Sequence, residues 1–167
     1  AGSAPVPPVM AAERVTMGLS TLRDLVLERP AAQPEAMDLV LRCTTHAVDD
    51  VRGKAIRLVA NRMFAQELLK FSIEEFALKA AQSLAEVAEE DAEAGPEGQE
   101  KEAAEARVKK AKAAALAFGV QKISLLCALC GRKNELLTLL FEEYTHAPKR
   151  FQPAFHHNLP GLSLIHI

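Results

Sequence analysis

The sequence predicts an all-α protein: antiparallel helical hairpins stacked as an α-solenoid fragment. Three observations predict it. Ala and Leu are abundant, Trp is absent and Tyr occurs once, a composition that favours helix over strand. Apolar residues recur at three- and four-residue spacing along nearly every segment. Proline, glycine and capping residues break the chain at short intervals, which suits helices joined by short connections.

The first 11 residues are rich in Pro, Ala and Gly and are expected to be flexible. A helix is predicted over 12–28, with Val15, Leu19, Leu22, Leu25 and Val26 on one face. Pro30 and Pro34 punctuate it, and Pro34 suits the first turn of a second helix reaching about Thr45 and carrying Met37, Leu39, Val40 and Cys43. A third helix runs from Asp50 to Phe64. Ser72 and Glu75 match a capping box, with Phe71 and Phe76 placed as a hydrophobic staple, so a fourth helix is predicted after a connector or helical turn at 66–70. Its stripe contains Ile73, Phe76, Ala77, Ala80, Leu84, Val87 and Ala88. Residues 89–106 are acidic, hold Gly95, Pro96 and Gly98 and lack an apolar period, the marks of a disordered insertion. Helix returns over 107–130, with a break expected near Gly119 and a stop at Gly131. Asn134 is placed to cap a helix bearing Leu136, Leu137, Leu140, Phe141 and Tyr144. Pro148 and Pro153 predict an irregular last segment. The organisation is therefore helices over 12–88 and 107–161 around the insertion. Residues 162–167, LSLIHI, resemble the in-frame translation of a transposon end used in sequencing libraries, so the chain is read as a fragment of a longer reading frame.

The third helix is the most informative. Val51, Ala55, Leu58 and Val59 share a face, and Arg52 lies beside it with its stem able to pack and its head seeking an acceptor. Asp49 or Asp50 suits the N-cap, and Gly53 is small enough for close backbone approach. An acidic cap, Val-Arg-x-x-Ala and then aliphatics is the pattern of the inner helix of a HEAT-type hairpin. Inner helices line the concave surface of a solenoid, so the polar strip Lys54, Arg57 and Asn61 is the candidate partner-binding site.

The whole chain bounds the function. At 167 residues, 49% of them apolar and 25% charged, it can bury one core of ordinary composition. A net charge of −2 supplies no global basic field for nucleic acid. No uncharged apolar run nears the roughly 20 residues of a membrane span, so no membrane partner is expected. Three cysteines within apolar helical segments point to free thiols in a reducing compartment. Cys127 and Cys130 fall on one apolar helix face, and with His146, His156 and His157 they lack the spacing of a zinc site. His156 and His157 point about 100° apart on a helix and have no partnered nucleophile. Gly53-Lys54 lacks the glycine-rich loop and hydroxyl of a phosphate-binding loop. The basic run at 107–112 has no aromatic interleaving for base stacking, so direct RNA contact is not expected. No catalytic residue, metal, cofactor or small-molecule substrate is indicated.

Val51-Arg52-x-x-Ala55, Arg62-Met63-Phe64, Leu69 and Ile73-Glu74-x-Phe76-Ala77-Leu78 are followed in order by 126–130, 135–145 with Tyr144-Thr145, and Lys149-Arg150. In this order they resemble the symplekin family of scaffolds for pre-mRNA cleavage and polyadenylation, in the region before its conserved C-terminal domain. The stretch from Ala55 to Asn61 looks especially like plant and algal members. The resemblance covers about 37–161 and implies a nuclear, non-enzymatic scaffold. Its implied partners are protein subunits: the specificity factor with its endonuclease, and the stimulation factor. Other readings of the residues are a HEAT or armadillo adaptor in transport or phosphatase assembly, and a helical nucleic-acid-binding domain using the run around Lys109.

Overall fold

The structure is a computed structural model that describes residues 8–87 and 101–163, with side chains over 9–87 and 102–158. Among the described residues it is entirely helical: α1 (Pro8–Glu28), α2 (Gln33–Cys43), α3 (Asp49–Leu58) running on into a π-helical turn (Val59–Met63), α4 (Glu67–Glu86), α5 (Lys101–Cys130), α6 (Leu136–His146) and α7 (Gln152–Ser163). Two compact units divide the chain, Ala1–Phe76 and Ala77–Ile167, with the boundary inside α4. Of the expected flexible stretch at 1–11, residues 1–7 lie outside the described residues, and the rest begins α1 with Pro8 in its first turn, where a missing N–H costs nothing. Of the expected insertion at 89–106, residues 89–100 lie outside them, whereas 101–106 open α5. Of 162–167, Leu162 and Ser163 close α7 and 164–167 lie outside.

In the first unit α1 packs on α2 and α3, which also pack on each other. Gln33 Nε2 ties the α1–α2 connection by donating to Val26 O at 2.8 Å. Pro34 sits in the first turn of α2 as expected. The buried stripe of α2 is Ala36, Met37, Val40 and Leu41, continued by its buried C-cap Thr44, not the expected set with Leu39 and Cys43. Leu41 stands about 40° around the helix from Met37 and Leu39 about 200°, so only the former shares its face. Fully buried Val40, Val59 and Met63 are core anchors of this unit, each contributing about 1.5–3 kcal/mol.

The buried face of α3 is also rotated from the expected one. Arg52, Ala55 and Val59 are buried, while Val51 and Leu58 flank them half-buried. Arg52 lies on the face, because positions 52, 55 and 59 fall within about 60° of one another on a helix. Its head does find acceptors: Nη1 donates to His46 O at 2.8 Å and Ala47 O at 3.3 Å, and Nη2 pairs with Asp49. This guanidinium satisfies the carbonyls of the α2–α3 connection that would otherwise lack partners at the edge of the core. Val48 in extended conformation, not an aspartate, occupies the N-cap, and no side chain caps the helix. Asp49 and Asp50 stand instead in the first turn, where their charge still meets the positive helix end. In the π-turn, Phe64 N donates to Val59 O at 2.8 Å, five residues back.

Helix α4 starts at Glu67, so Ser72 and Glu75 lie inside it and do not cap. Leu69 and Ile73, one turn apart and both buried, carry the helix back past the expected start. Phe71 is exposed and staples nothing.

In the second unit α5 packs most extensively on α7 and also on α6. It runs unbroken through Gly119, which is buried. A Cβ built there would stand 2.6 Å from Ala154 Cβ, so this glycine is what lets α7 approach α5. The close approach expected at Gly53 is absent: a Cβ there would meet only Arg57 Nη1, at 3.6 Å. Ile123, Leu125, Leu126 and Leu129 are fully buried. By length and composition alone, 102–130 is long and apolar enough to cross a membrane, because Lys122 is the single charge in its last 18 residues. That differs from the count of uncharged runs; within it Ile123, Leu125, Leu126 and Leu129 are buried, while less than half of the apolar window is. Glu135, not Asn134, is the N-cap of α6, without a side-chain cap bond. Leu136, Leu140 and Glu143 are its buried residues, whereas Phe141 is exposed. The last segment is a regular helix. Pro153 falls in the first turn of α7, where proline is accommodated. Arg150, just before it, stacks 4.8 Å from the Phe151 ring and donates from Nη2 to Val87 O at 3.1 Å. That bond gives a cation to the C-terminal end of α4.

Candidate functional site

The outer side of α3 follows from its inner side. With Arg52, Ala55 and Val59 turned into the core, Arg57 and Asn61 face solvent and Lys54 stands at the edge, half-buried. The structure therefore places Lys54, Arg57 and Asn61 on one side of the α3 and π-helical run, but in different chemical states.

Lys54 is occupied. Its ammonium pairs with Asp50 Oδ2 at 2.9 Å, one turn back, and donates to Ala12 O of α1 at 3.1 Å. Ala12 O also accepts from Thr16 Oγ1 at 2.9 Å. Lys54 thus fastens α3 to α1. Arg57 is exposed and has no hydrogen bond or ion pair among the described residues. Asn61 is exposed and engaged in an interaction of its own.

Between α1 and α3 lies an open groove of about 200 Å³, lined by Thr16, Leu19 and Ser20 on one side and Lys54, Arg57 and Leu58 on the other. Leu19 and Leu58 give it an apolar floor, and the hydroxyls and cations form its rim. Sequence reasoning had placed Leu19 in the core stripe of α1 and passed over Thr16 and Ser20. Their signal is two hydroxyl residues one turn apart beside Leu19.

The remaining clusters carry less chemistry. Cys43, Cys127 and Cys130 are free thiols. Burial, and secondarily the neighbouring Cys130, pushes the Cys127 thiol up to about 12. Burial pushes Cys130 up to about 11 and raises Cys43 as well. Such thiols stay protonated at neutral pH, which suits packing more than nucleophilic attack. No group of three or more His, Cys, Asp or Glu side chains among the described residues is placed to hold a metal ion. His156 Nε2 lies 3.3 Å from Tyr144 OH, and its ring stands edge-on to the tyrosine, while His157 is exposed. Buried Glu143 accepts from Gln82 Nε2 at 3.3 Å, a tie between α6 and the later part of α4. Arg107, Lys109, Lys110 and Lys112 are all exposed.

No protein-family model matches the chain. No solved structure matches it either.

Proposed function

We propose that this chain is a segment of a non-enzymatic, HEAT-like scaffold of the symplekin type, acting in nuclear pre-mRNA 3′-end cleavage and polyadenylation by holding protein subunits together. The ordered sequence resemblance supports the family, and one structural observation carries the scaffold reading furthest. The Val51-Arg52-x-x-Ala55 pattern turns inward, with Arg52 locking the preceding loop, and leaves the Arg57 and Asn61 side of α3 outward. A helix anchored on its inner side, with the exposed Arg57 on its outer side, suits the binding of another protein. On this reading the stacked hairpins extend as a solenoid, and its surfaces raise the effective concentration of endonuclease and RNA-reading subunits for one another.

The test is co-purification of cleavage and polyadenylation subunits with the full-length protein, wild type against Arg57→Glu with Asn61→Asp, at matched expression. The wild type should recover those subunits and the variant should lose at least one. Unchanged recovery rejects this strip as an interface. Recovery of an unrelated assembly by the wild type, such as a transport or phosphatase complex, rejects the family and favours another helical-repeat adaptor. The exposed basic run at 107–112 favours one further reading, a phosphate-contacting helix. It would show as RNA binding by this chain that weakens steeply with salt.

A further inference from the structure

We infer that the α1–α3 groove is a docking site for an acidic peptide segment that seats one aliphatic side chain on Leu19 and Leu58 and sets a carboxylate on Arg57. The inference rests on reading the outer side of α3 as protein-facing, and it names the chemistry of the partner. Size comes first. A groove of about 200 Å³ is smaller than the roughly 300–1,000 Å³ of small-molecule pockets. It suits a single anchoring side chain, the unit on which peptide recognition turns. The floor sets the polarity of that anchor: Leu19 is buried and Leu58 half-buried, and both belong to the lining.

Charge sets what flanks the anchor. Lys54 already spends its ammonium on Asp50 and Ala12 O, so it offers the groove its stem and little field. Arg57 has no hydrogen bond or ion pair among the described residues, and a planar guanidinium takes a carboxylate with two parallel hydrogen bonds. Ser20, half-buried on the opposite wall, has a hydroxyl with no hydrogen bond among the described residues, and it supplies a second donor. A nucleic acid fits less well. Its affinity comes from several phosphates neutralised together, and Arg57 is the one groove-lining cation without an ion pair among the described residues.

The experiment follows backbone amide shifts of the 167-residue chain on titration with the capped pentapeptide Glu-Glu-Leu-Glu-Glu. The comparison probes are Glu-Glu-Ala-Glu-Glu, Lys-Lys-Leu-Lys-Lys and a twelve-nucleotide oligouridylate. Saturating shifts confined to the groove, at Thr16, Leu19, Ser20, Arg57 and Leu58, are expected with the first peptide, at about millimolar affinity. Replacing its leucine, or making Arg57→Glu, should weaken binding about tenfold. Ser20→Phe, which fills the groove, should abolish it while leaving the melting temperature nearly unchanged. Absence of saturation, equal response to the alanine or lysine peptide, indifference to Arg57→Glu or Ser20→Phe, or preferential response to the oligonucleotide each overturns the inference. Failure here with loss of a subunit in the co-purification test would sink only the peptide chemistry. Binding here with recovery of an unrelated assembly there would sink only the family.

Discussion

Gly53 and Gly119 both sit within helices, and replacing each by alanine should move stability in opposite directions. A glycine inside a helix ordinarily costs about 0.8–1.0 kcal/mol relative to alanine. At Gly53 a new Cβ meets nothing closer than the far end of Arg57, at 3.6 Å, an ordinary contact with a flexible side chain. Gly53→Ala should therefore realise most of the propensity gain, about 0.5–1 kcal/mol. At Gly119 the new Cβ would stand 2.6 Å from Ala154 Cβ, with Phe151 O at 3.6 Å and Phe151 Cβ at 3.8 Å. Carbon atoms rest at about 3.5–4.0 Å, so α5 and α7 must part by about 1 Å. Neither methyl can rotate away. Overpacking of this kind costs about 1–3 kcal/mol, and after the propensity gain Gly119→Ala should destabilise by up to about 2 kcal/mol. The assay is urea unfolding followed by circular dichroism, each variant judged on the transition of its own unit. Moving the methyl rather than adding one gives the sharper test. Ala154→Gly in the Gly119→Ala background should recover part of the loss, with a coupling of about 1 kcal/mol in the double-mutant cycle. Stabilisation by Gly119→Ala, or additivity of the pair, would refute the close approach of these helices.

Three further outcomes are expected. Arg52→Met should cost about 1–3 kcal/mol, because the carbonyls of His46 and Ala47 lose their donor, and Arg52→Lys should restore only part of it; an unchanged denaturation midpoint for Arg52→Met would show that the loop needs no such clamp. Met63→Ala should cost about 2–5 kcal/mol and exceed Leu58→Ala, since Met63 is fully buried and Leu58 is not; the reverse order in the same assay would restore the rotated face first read from the sequence. The buried thiols should make stability fall in alkali. Their folded pKa values are raised from 9.0 to about 12 at Cys127 and about 11 at Cys130, so the contribution is complete below 9 and is lost as pH climbs toward 11 and 12. Melting of wild type and the double Cys127→Ala, Cys130→Ala variant between pH 8 and 11 checks this, and equal slopes would count against it.

The helical class, the turn at Pro34 and the inward packing of the 50–64 segment were legible because they rest on period and on proline, which act locally. Exact faces were less so. Val51 and Leu58 read as core by aliphatic period, with Arg52 beside them, yet Arg52 takes the buried position by bonding the loop that precedes it. The capping box at Ser72 was real as a pattern and inert as a cap, since burial of Leu69 outweighed it. Gly119 reads as a breaker in one dimension and acts as a contact surface in three. The strip on α3 was found from period, but not its division into a structural lysine and an uncommitted arginine, because the carbonyl of Ala12 lies 42 positions away along the chain.

Helix α5 spans 30 residues, about 45 Å. Over 102–114 nearly every side chain is exposed, whereas 123–130 is mostly buried. It is a cantilever, clamped at one end. The free half must persist on alanine propensity and on turn-to-turn attraction such as that of Glu105 for Lys109, four residues on. Amide exchange should therefore slow steadily from Glu102 toward Cys130 in place of a single step, and warming should shorten the lever from its free end without loosening the clamp. Whatever is fastened to that end would feel a reach that depends on temperature and salt.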